Sequence, residues 1–298
     1  MSMKGFSILP GPLLARRTTM GLGGVALAEI RVEDPLRLDD LPDTLRGIGG
    51  RVETLGGGSN IIAGDGELPI TLLTLGCKEI RVLGEDGGQV FVRAEGGARL
   101  PALLGALAKA GLSGLEGLAG IPGSVGGALA MNAGSYGVEV WSAVTSIQVF
   151  TREANTRERL PEAFEVGYRH CALKGLAPDE RFLVTAATFA LTPTDSVLVR
   201  ERMRKCLEKK RVTQPVGARS AGCVFKNPPG ASAGKLLDEA GMKGQAVGGM
   251  SYSSLHAAFM INSGRGTSAE ALELLEMGRE AVRRTHGIHL ETEVRIWP

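Results

Sequence analysis

A run of glycines after a predicted strand carries the clearest chemical signal in the sequence. The strand Arg51–Leu55 leads directly into Gly-Gly-Gly-Ser-Asn, residues 56–60. Three successive glycines let the backbone bend until consecutive N–H groups converge on one anion, and Ser59 and Asn60 add side-chain donors. An ordinary hairpin turn, which is the alternative, needs fewer glycines. The segment therefore predicts a phosphate-binding loop.

A second glycine-rich segment spans Gly111–Gly137 and contains almost no charge. Each interior glycine costs a helix up to about 1 kcal/mol relative to alanine, so we expect a wrapped loop without a stable helix. Bare backbone that approaches a flat or phosphate-bearing ligand would explain the glycines. The alternative, a glycine-rich linker, would leave these apolar side chains in water: Leu112, Leu115, Leu118, Ile121, Val125 and Leu129.

Other patterns that bind nucleotides or metals are not supported. Neither glycine segment has the GxGxxG spacing before a helix, which argues against a Rossmann site. Gly230–Lys235 resembles a P-loop, but it has three residues between its glycines instead of four, and Leu236 replaces the magnesium-binding hydroxyl residue. The four cysteines and four histidines lack the spacing of metal ligands, so no metal site is predicted.

Composition narrows the classes of function further. Of the 298 residues 43 are glycine, and 34 Lys and Arg against 32 Asp and Glu give a net charge of +2. Since the chain has no basic block and only 4% aromatic residues, we do not expect it to bind nucleic acid. It also shows no signal-peptide pattern and no apolar run long enough to cross a membrane. The sequence predicts a protein of the reducing cytoplasm without membrane insertion.

Periodicity and capping residues predict the elements that position these loops, in an α+β fold with a strand-rich front and a smaller helical domain behind. The predicted strands are Val25–Val32, Arg51–Leu55, Glu79–Leu83, Gln89–Ala94, Val144–Thr151, Phe182–Leu191 and Glu293–Trp297. The predicted helices are Leu100–Ala110, Ser196–Arg211, Gly234–Ala240 and Ser268–His286, the last with a Thr267/Glu270 capping box and a stop at Gly287.

Six motifs follow one another along nearly the whole chain. They are Arg17–Gly24, Leu55–Asn60 with Asp65, Leu115–Gly127 with Asn132–Gly134, Gly167–Arg169, Ala221–Pro228 and Leu290–Val294. In this order they resemble the motifs of the UDP-N-acetylmuramate dehydrogenases, also named UDP-N-acetylenolpyruvoylglucosamine reductases, of bacterial cell-wall synthesis. The resemblance implies an FAD-binding domain of the vanillyl-alcohol-oxidase type over residues 1–194, with lobes of about 1–72 and 73–194. It further implies a substrate-binding domain over 195–290 and a C-terminal strand, 291–298, that carries a catalytic glutamate.

The resemblance also implies a cofactor, a co-substrate and a reaction. NADPH would reduce non-covalent FAD, which would pass hydride to the enolpyruvyl group of the UDP-sugar substrate. Covalent attachment of the flavin through histidine is not expected, because all four histidines lie outside the glycine loops. The implied cofactor-binding residues are Leu55, Gly56, Gly57, Gly58, Ser59, Asn60, Gly120, Ile121, Pro122, Gly123, Ser124, Gly126, Gly127, Asn132, Ala133 and Gly134.

Hydride delivery would place negative charge on the substrate, so the reaction needs a fixed cation and a proton donor. Arg169 matches the family's catalytic arginine, and a guanidinium stays charged and can clamp a carboxylate. Cys223 stands where the family commonly has a proton-donating serine, and a thiol with a usual pKa of about 8.5 can also donate. Glu293 matches the catalytic glutamate. Glu291 would share its face of the predicted strand and is the alternative.

Three further residues match family positions near the substrate's phosphates and carboxylate: Tyr168, Lys226 and Asn227. Lysine and amide donors suit a diphosphate. An FAD-dependent sugar or alcohol oxidase on the same fold is the alternative enzyme. A non-catalytic nucleotide-binding module is the alternative outside enzymes.

The chain departs from the family pattern in two further places. Thr213 stands where many members have a lysine before Gln-Pro, and Lys209, Lys210 or Arg211 are candidates to replace that lysine. The sequence has no tyrosine between Tyr168 and Tyr252, so the resemblance is to the shorter members without a tyrosine-bearing lid loop.

Overall fold

The computed structural model describes residues 2–3, 5–38, 40–151, 156–177 and 182–298. Its α-helices are α1 (Leu41–Ile48), α2 (Leu100–Ala110), α3 (Val125–Ala130), α4 (Ser196–Thr213), α5 (Ala233–Glu239) and α6 (Ser268–His286). Its strands are β1 (Ser2–Met3), β2 (Phe6–Pro10), β3 (Val25–Val32), β4 (Arg51–Thr54), β5 (Ile61–Ala63), β6 (Glu67–Leu75), β7 (Ile80–Asp86), β8 (Gln89–Glu95), β9 (Leu112–Ser113), β10 (Gly134–Ser135), β11 (Val138–Glu139), β12 (Val144–Thr151), β13 (Arg157–Arg159), β14 (Phe164–Gly167), β15 (His170–Leu173), β16 (Phe182–Pro193), β17 (Ala246–Val247), β18 (Met250–Tyr252), β19 (Met260–Asn262) and β20 (Arg295–Trp297). Short 3-10 helices span Leu14–Arg16, Glu116–Leu118, Val140–Ala143 and Pro161–Ala163. Among the described helices, none is both long and apolar enough to cross a bilayer.

The chain divides into two compact units, each assembled from three stretches of sequence. The first unit contains Met1–Pro10, Ala28–Gly57 and Ile70–Lys209, and the second contains Gly11–Leu27, Gly58–Pro69 and Lys210–Pro298. The boundary between the units thus falls inside the predicted phosphate loop, after its second glycine. The domain boundaries predicted from the sequence, at 194 and 290, stay a prediction.

The first unit contains two large sheets. One has the strand order β1-β2-β3-β6-β4, and the other has the order β13-β12-β16-β8-β7. A separate hairpin pairs β14 with β15 and sets Gly167 opposite His170, so Tyr168 and Arg169 form its two-residue turn. The hairpin therefore carries one of the predicted catalytic residues at its tip.

Helix α2 has the predicted bounds because its signals are local. Its leucines at 100, 103, 104 and 107 are all buried in the core of the first unit, and their spacing places them on one face. Gly111 follows in the left-handed conformation, with φ of +68°, and ends the helix.

The predicted loop Gly111–Gly137 contains a helix, so the expectation of a ribbon without one was wrong. Helix α3 begins after Ser124, whose Oγ accepts a hydrogen bond from the Gly127 amide at 3.2 Å. Its Val125 and Leu129 side chains are fully buried in the first unit's core. Burial of this apolar face outweighs the helix cost of the two glycines, which is a tertiary effect that local propensity does not contain.

The second unit consists of a three-strand sheet, β17-β18-β19, a parallel pair of β20 with β5, and helices α5 and α6. Helix α6 has the predicted bounds and the complete Thr267/Glu270 capping box, and it ends at Gly287 with φ of +67°. Its apolar face packs into the unit's own core through Ala271, Leu274, Leu275, Ala281 and Val282.

The C-terminal strand is shorter than predicted, because β20 begins at Arg295. Thr292 makes an isolated bridge with Phe225 instead of joining the ladder of β20. Glu293 therefore lies in the extended segment before the strand and not within it.

Candidate active site

The two predicted cofactor loops meet inside the first unit. A Cβ atom on Gly57 would lie 2.5 Å from the Gly123 Cα, and one on Gly56 would lie 2.4 Å from the Ser124 Oγ. Both distances are too short for real side chains, so only glycine allows this approach. The loop after β4 and the loop before α3 therefore present backbone to each other.

Several backbone amides of the second loop donate hydrogen bonds to acceptors within the first unit. The amide of Gly126 donates to the Gly96 carbonyl oxygen at 2.9 Å, and that of Val125 donates to Ala98 at 2.8 Å. Gly127 donates to Ser124 Oγ. In the first loop, by contrast, Gly56 and Gly57 are exposed, and no described residue accepts a hydrogen bond from their N–H groups. Successive N–H groups of this kind suit an anion, and phosphate binding at this loop stays a prediction.

Arg169 is held at the hairpin tip by backbone carbonyls of the glycine-rich segment. Its Nη2 donates to the Gly134 oxygen at 3.0 Å, and its Nη1 donates to the Asn132 oxygen at 3.5 Å. The guanidinium also lies 5.2 Å from the centre of the Tyr168 ring, within the range of a cation–π contact. Arg169 is half-buried and Tyr168 is exposed.

Strained backbone is concentrated in this part of the first unit. Among the described residues, the non-glycine residues with positive φ are Asn132 (+45°), Tyr136 (+51°) and Arg169 (+54°). Such conformations are costly for residues with a side chain and persist where the surroundings hold them, which often happens at active sites.

The second unit brings Cys223 and Glu293 onto paired extended segments. The Glu293 amide donates to the Val224 oxygen at 2.9 Å, while Cys223 makes an isolated bridge with Phe259 on its other side. Both residues are half-buried. Residues 223–224 are therefore paired with Phe259 on one side and with Glu293 on the other.

Glu291, the alternative to Glu293, has different surroundings. Glu291 is exposed, and its Oε2 lies 3.3 Å from the Nζ of Lys226 in an ion pair. Its carbonyl oxygen accepts a hydrogen bond from the Lys226 amide. The predicted substrate-binding lysine is thus paired with Glu291.

Two predicted ligand-binding asparagines make hydrogen bonds within the second unit. The Asn60 Nδ2 donates to the Glu293 carbonyl oxygen at 3.1 Å. The Asn227 Oδ1 accepts from the Ala233 amide at 2.9 Å, at the start of α5. Asp65, part of the loop motif, accepts from the Ser268 amide at the start of α6. These side chains organise the segments around the predicted site.

Tyr136 is a residue for which the sequence predicts no role. Its ring contacts the Lys209 ammonium, 5.0 Å from the ring centre, and burial raises the pKa of its phenol. Lys209 is one of the cations considered as a replacement for the lysine missing at Thr213. The signal in the sequence was a single aromatic residue at the end of a segment made mostly of glycine and small apolar residues.

Profiles of known protein families match both parts of the chain. An FAD binding domain profile matches residues 38–158, and a profile for the C-terminal domain of UDP-N-acetylenolpyruvoylglucosamine reductase matches residues 214–297. The reductase of that name from Nitratidesulfovibrio vulgaris is 50% identical over 291 residues, which cover 97% of this chain and 98% of the relative. The one from Oleidesulfovibrio alaskensis is 47% identical over 295 residues and covers 98% of each chain. The crystal structure of UDP-N-acetylenolpyruvylglucosamine reductase from Thermus caldophilus matches with a TM-score of 0.80 at 34% identity, covering 98% of this chain and 99% of that one.

The fold and the glycine loops define this protein as an FAD-dependent oxidoreductase. The chain belongs to the UDP-N-acetylenolpyruvoylglucosamine reductase family. The predicted family, the α+β fold with an FAD-binding domain and a smaller α+β domain, and the FAD cofactor are confirmed. The vanillyl-alcohol-oxidase type of the FAD-binding domain stays a prediction. The role of each predicted site residue stays a prediction.

The residues of the first unit fit an FAD molecule. Gly56 and Gly57 offer exposed N–H groups for a phosphate. The backbone of Gly123, in the second loop, lies directly against Gly57. Backbone donors with few side chains around them suit a large ligand that carries a diphosphate.

Proposed function

We propose that this chain catalyses the NADPH-dependent reduction of UDP-N-acetylenolpyruvoylglucosamine to UDP-N-acetylmuramate, a step in the synthesis of peptidoglycan precursors. The observation that carries the proposal is the match of both domains in one chain, with 50% identity to a reductase of that name over 97% of this chain. The loop that contains Gly56 and Gly57 would hold FAD, which would supply the hydride chemistry between NADPH and the substrate.

Arg169 stabilises the negative charge that hydride delivery creates. A guanidinium stays protonated throughout the accessible pH range and presents donors in a planar fork that fits a carboxylate. The hairpin turn and the Gly134 carbonyl hold this group in place before the substrate binds. A cation fixed in advance stabilises developing charge without the cost of reorganisation.

Cys223 donates the proton that completes the product. The hydride forms one new C–H bond of the reduced enolpyruvyl group, and the thiol proton forms the other on the adjacent carbon. The resulting thiolate recovers a proton from solvent. A thiol is a stronger acid than the serine hydroxyl common at this position in the family, so the substitution preserves the donor.

Glu293 orients a water molecule or shares the protonation of the substrate carbon, and it is the carboxylate that we assign to catalysis. Its backbone is fixed on the segment paired with Val224, next to the proposed donor. Lys226, Asn227 and Tyr168 bind the phosphates and carboxylate of the substrate. The predicted cytoplasmic location stays a prediction.

Anaerobic spectroscopy of the FAD-loaded protein tests the proposed function. We expect NADPH to bleach the flavin absorbance and the enolpyruvyl UDP-sugar to restore it. In Arg169→Ala the bleaching should proceed at nearly the parental rate, while the restoration should be slow. Bleaching by a sugar or alcohol instead of NADPH would favour the oxidase alternative. Restoration at the parental rate in Arg169→Ala would remove this arginine from the mechanism.

A further inference from the structure

We propose that Asn132 is a positioning residue for Arg169, acting through the backbone of the hairpin that carries the arginine. The inference rests on the proposed role of Arg169 and adds a second residue to that function. It assigns the side-chain amide of Asn132 a task other than the cofactor contact expected from the sequence.

Both protons of the Asn132 amide are used within the first unit. The Nδ2 donates to the Glu139 Oε2 at 2.8 Å and to the Gly167 carbonyl oxygen at 3.0 Å. A side-chain amide has two N–H groups, so none is left for a ligand. Asn132 is fully buried, with 0% of its surface exposed.

The bond to Gly167 acts directly on the arginine's turn. Gly167 is the last residue of β14 and pairs with His170, so its carbonyl fixes the point at which the chain enters the turn. Arg169 takes a left-handed conformation, which asparagine tolerates well but arginine does not. A turn that holds arginine in this conformation needs support from outside the hairpin, and the Asn132 amide supplies it.

The Arg169 guanidinium in turn contacts the backbone of the segment that carries Asn132. Its guanidinium donates to the carbonyl oxygens of Gly134 at 3.0 Å and Asn132 at 3.5 Å. Asn132 thus holds the backbone of the turn while the Asn132–Gly134 segment holds the arginine's head group. The backbone of the turn and the guanidinium are therefore fixed by the same short segment.

Glu139 connects this arrangement to the rest of the first unit. It lies on β11 opposite Gly134, and its carboxylate accepts from Asn132. The Asn132 side chain therefore has a charged acceptor on one side and the hairpin on the other, which limits its rotation. A hydrogen bond to an ionised acceptor is stronger than one between neutral groups.

A double-mutant cycle on the FAD-loaded protein tests the proposal. Asn132→Gly removes the amide but keeps a residue that adopts positive φ easily. Asn132→Asp keeps the shape but replaces the donating NH2 with a carboxylate oxygen, which only accepts. We expect flavin reoxidation by the enolpyruvyl UDP-sugar to slow about 10-fold to 100-fold in both variants, as small misplacements of a catalytic group do. Reduction by NADPH and affinity for FAD should change less than about twofold. In an Arg169→Ala background, Asn132→Gly should add less than about a twofold loss, because coupled residues are not additive.

A second readout does not depend on activity. Hydrogen–deuterium exchange of the 164–173 hairpin should increase in Asn132→Gly, while exchange in β12 and β16 should stay at the parental level. Thr71→Val is the matched control, since it removes the hydrogen bond of 2.8 Å from Thr71 Oγ1 to the Gly49 oxygen, in the same unit, on strand β6 of a different sheet from the hairpin. It should leave both half-reactions and the exchange of the hairpin tip unchanged.

The outcomes separate this inference from the proposed function. Loss of FAD binding, equal slowing of both half-reactions, or multiplicative losses in the double variant would overturn the positioning role, since Asn132 would then act on the cofactor through Oδ1 or on the fold as a whole. Parental kinetics in both Asn132 variants, with a slow Arg169→Ala, would overturn the inference alone. Parental reoxidation in Arg169→Ala would refute the role of Arg169 and this inference with it.

Discussion

The side-chain amide of Asn60 and the backbone of Glu293 are joined by a hydrogen bond of 3.1 Å, although 233 residues separate them in sequence. The amide of Arg295 donates back to the Asn60 carbonyl oxygen at 3.0 Å, so Asn60 is bonded on both sides to the C-terminal segment. In the second unit, this asparagine fixes the backbone that carries the proposed catalytic glutamate.

Replacement of Asn60 should therefore affect the reaction with the sugar nucleotide. In Asn60→Ala we expect the flavin to be reoxidised about 10-fold more slowly, because loss of the hydrogen bond lets the Glu293 backbone shift. The free energy of unfolding should fall by about 1 kcal/mol. Stopped-flow absorbance and urea denaturation measure the two effects. If the variant loses FAD but, once saturated with FAD, reoxidises at the parental rate, Asn60 serves the cofactor and not Glu293.

The two glutamates near the C-terminus provide a matched pair. Glu293→Gln should lower turnover about 100-fold or more, the loss typical of a group that assists proton transfer. Glu291→Gln removes only the charge of an exposed partner of Lys226, so turnover should stay within about threefold of the parental value, as for other surface ion pairs. Steady-state kinetics with both substrates decides the assignment. The reverse pattern would make Glu291 the catalytic carboxylate.

The cysteines allow a similar comparison. Cys223→Ser should retain most activity because a hydroxyl also donates a proton, whereas Cys223→Ala should lose most of the reoxidation rate. Cys77 in the first unit is the control, since burial and the nearby Glu95 raise the pKa of its thiol to about 11. That thiol stays protonated and unreactive near neutral pH, so Cys77→Ala should reoxidise at the parental rate. An active Cys223→Ala variant would require another proton donor.

Glycine substitutions test the contact between the two cofactor loops. Gly57→Ala places a methyl group 2.5 Å from the Gly123 Cα, so we expect weaker FAD binding and a lower melting temperature. Gly105→Ala is the control: it lies on the exposed face of α2, with no atom within 4 Å of the added carbon. It should stabilise the protein by roughly 0.5–1 kcal/mol. Flavin fluorescence titration and thermal unfolding follow both variants, and unchanged FAD affinity in Gly57→Ala would argue against the loop contact.

His256 gives a prediction about pH. It is half-buried, burial lowers its pKa below 6.5, and its Nδ1 accepts a hydrogen bond from the Ala258 amide. The unfolded chain therefore takes up the proton first as the pH falls, and stability should decline as the pH drops below about 6.5. His256→Asn should reduce this decline in urea unfolding between about pH 8 and about pH 5.5. The exposed His289→Asn should not, and an equal reduction in both variants would exclude this role for His256.

Local signals in the sequence were enough for many elements. Helices α2 and α6 and strands β3 and β12 have the predicted bounds, because periodicity, caps and stop residues all lie within the element itself. Helix α3 was missed because its stability comes from packing of Val125 and Leu129 in the core. Strand β20 starts later than predicted because the Glu293 amide donates to the Val224 oxygen, a partner that is distant in sequence, instead of joining the ladder with β5.

The sequence by itself determined the family, the cofactor and which residue types are available for catalysis, since these follow from ordered motifs with defined chemistry. Tertiary structure decided which hydrogen-bond partners those residues have within each unit. The side-chain amides of Asn60 and Asn132, predicted from the sequence to contact the cofactor, donate to the carbonyl oxygens of Glu293 and Gly167. Their contact with the cofactor stays a prediction. An amide donor accepts any suitably placed carbonyl as its partner, and the fold alone determines which carbonyl lies within 3 Å.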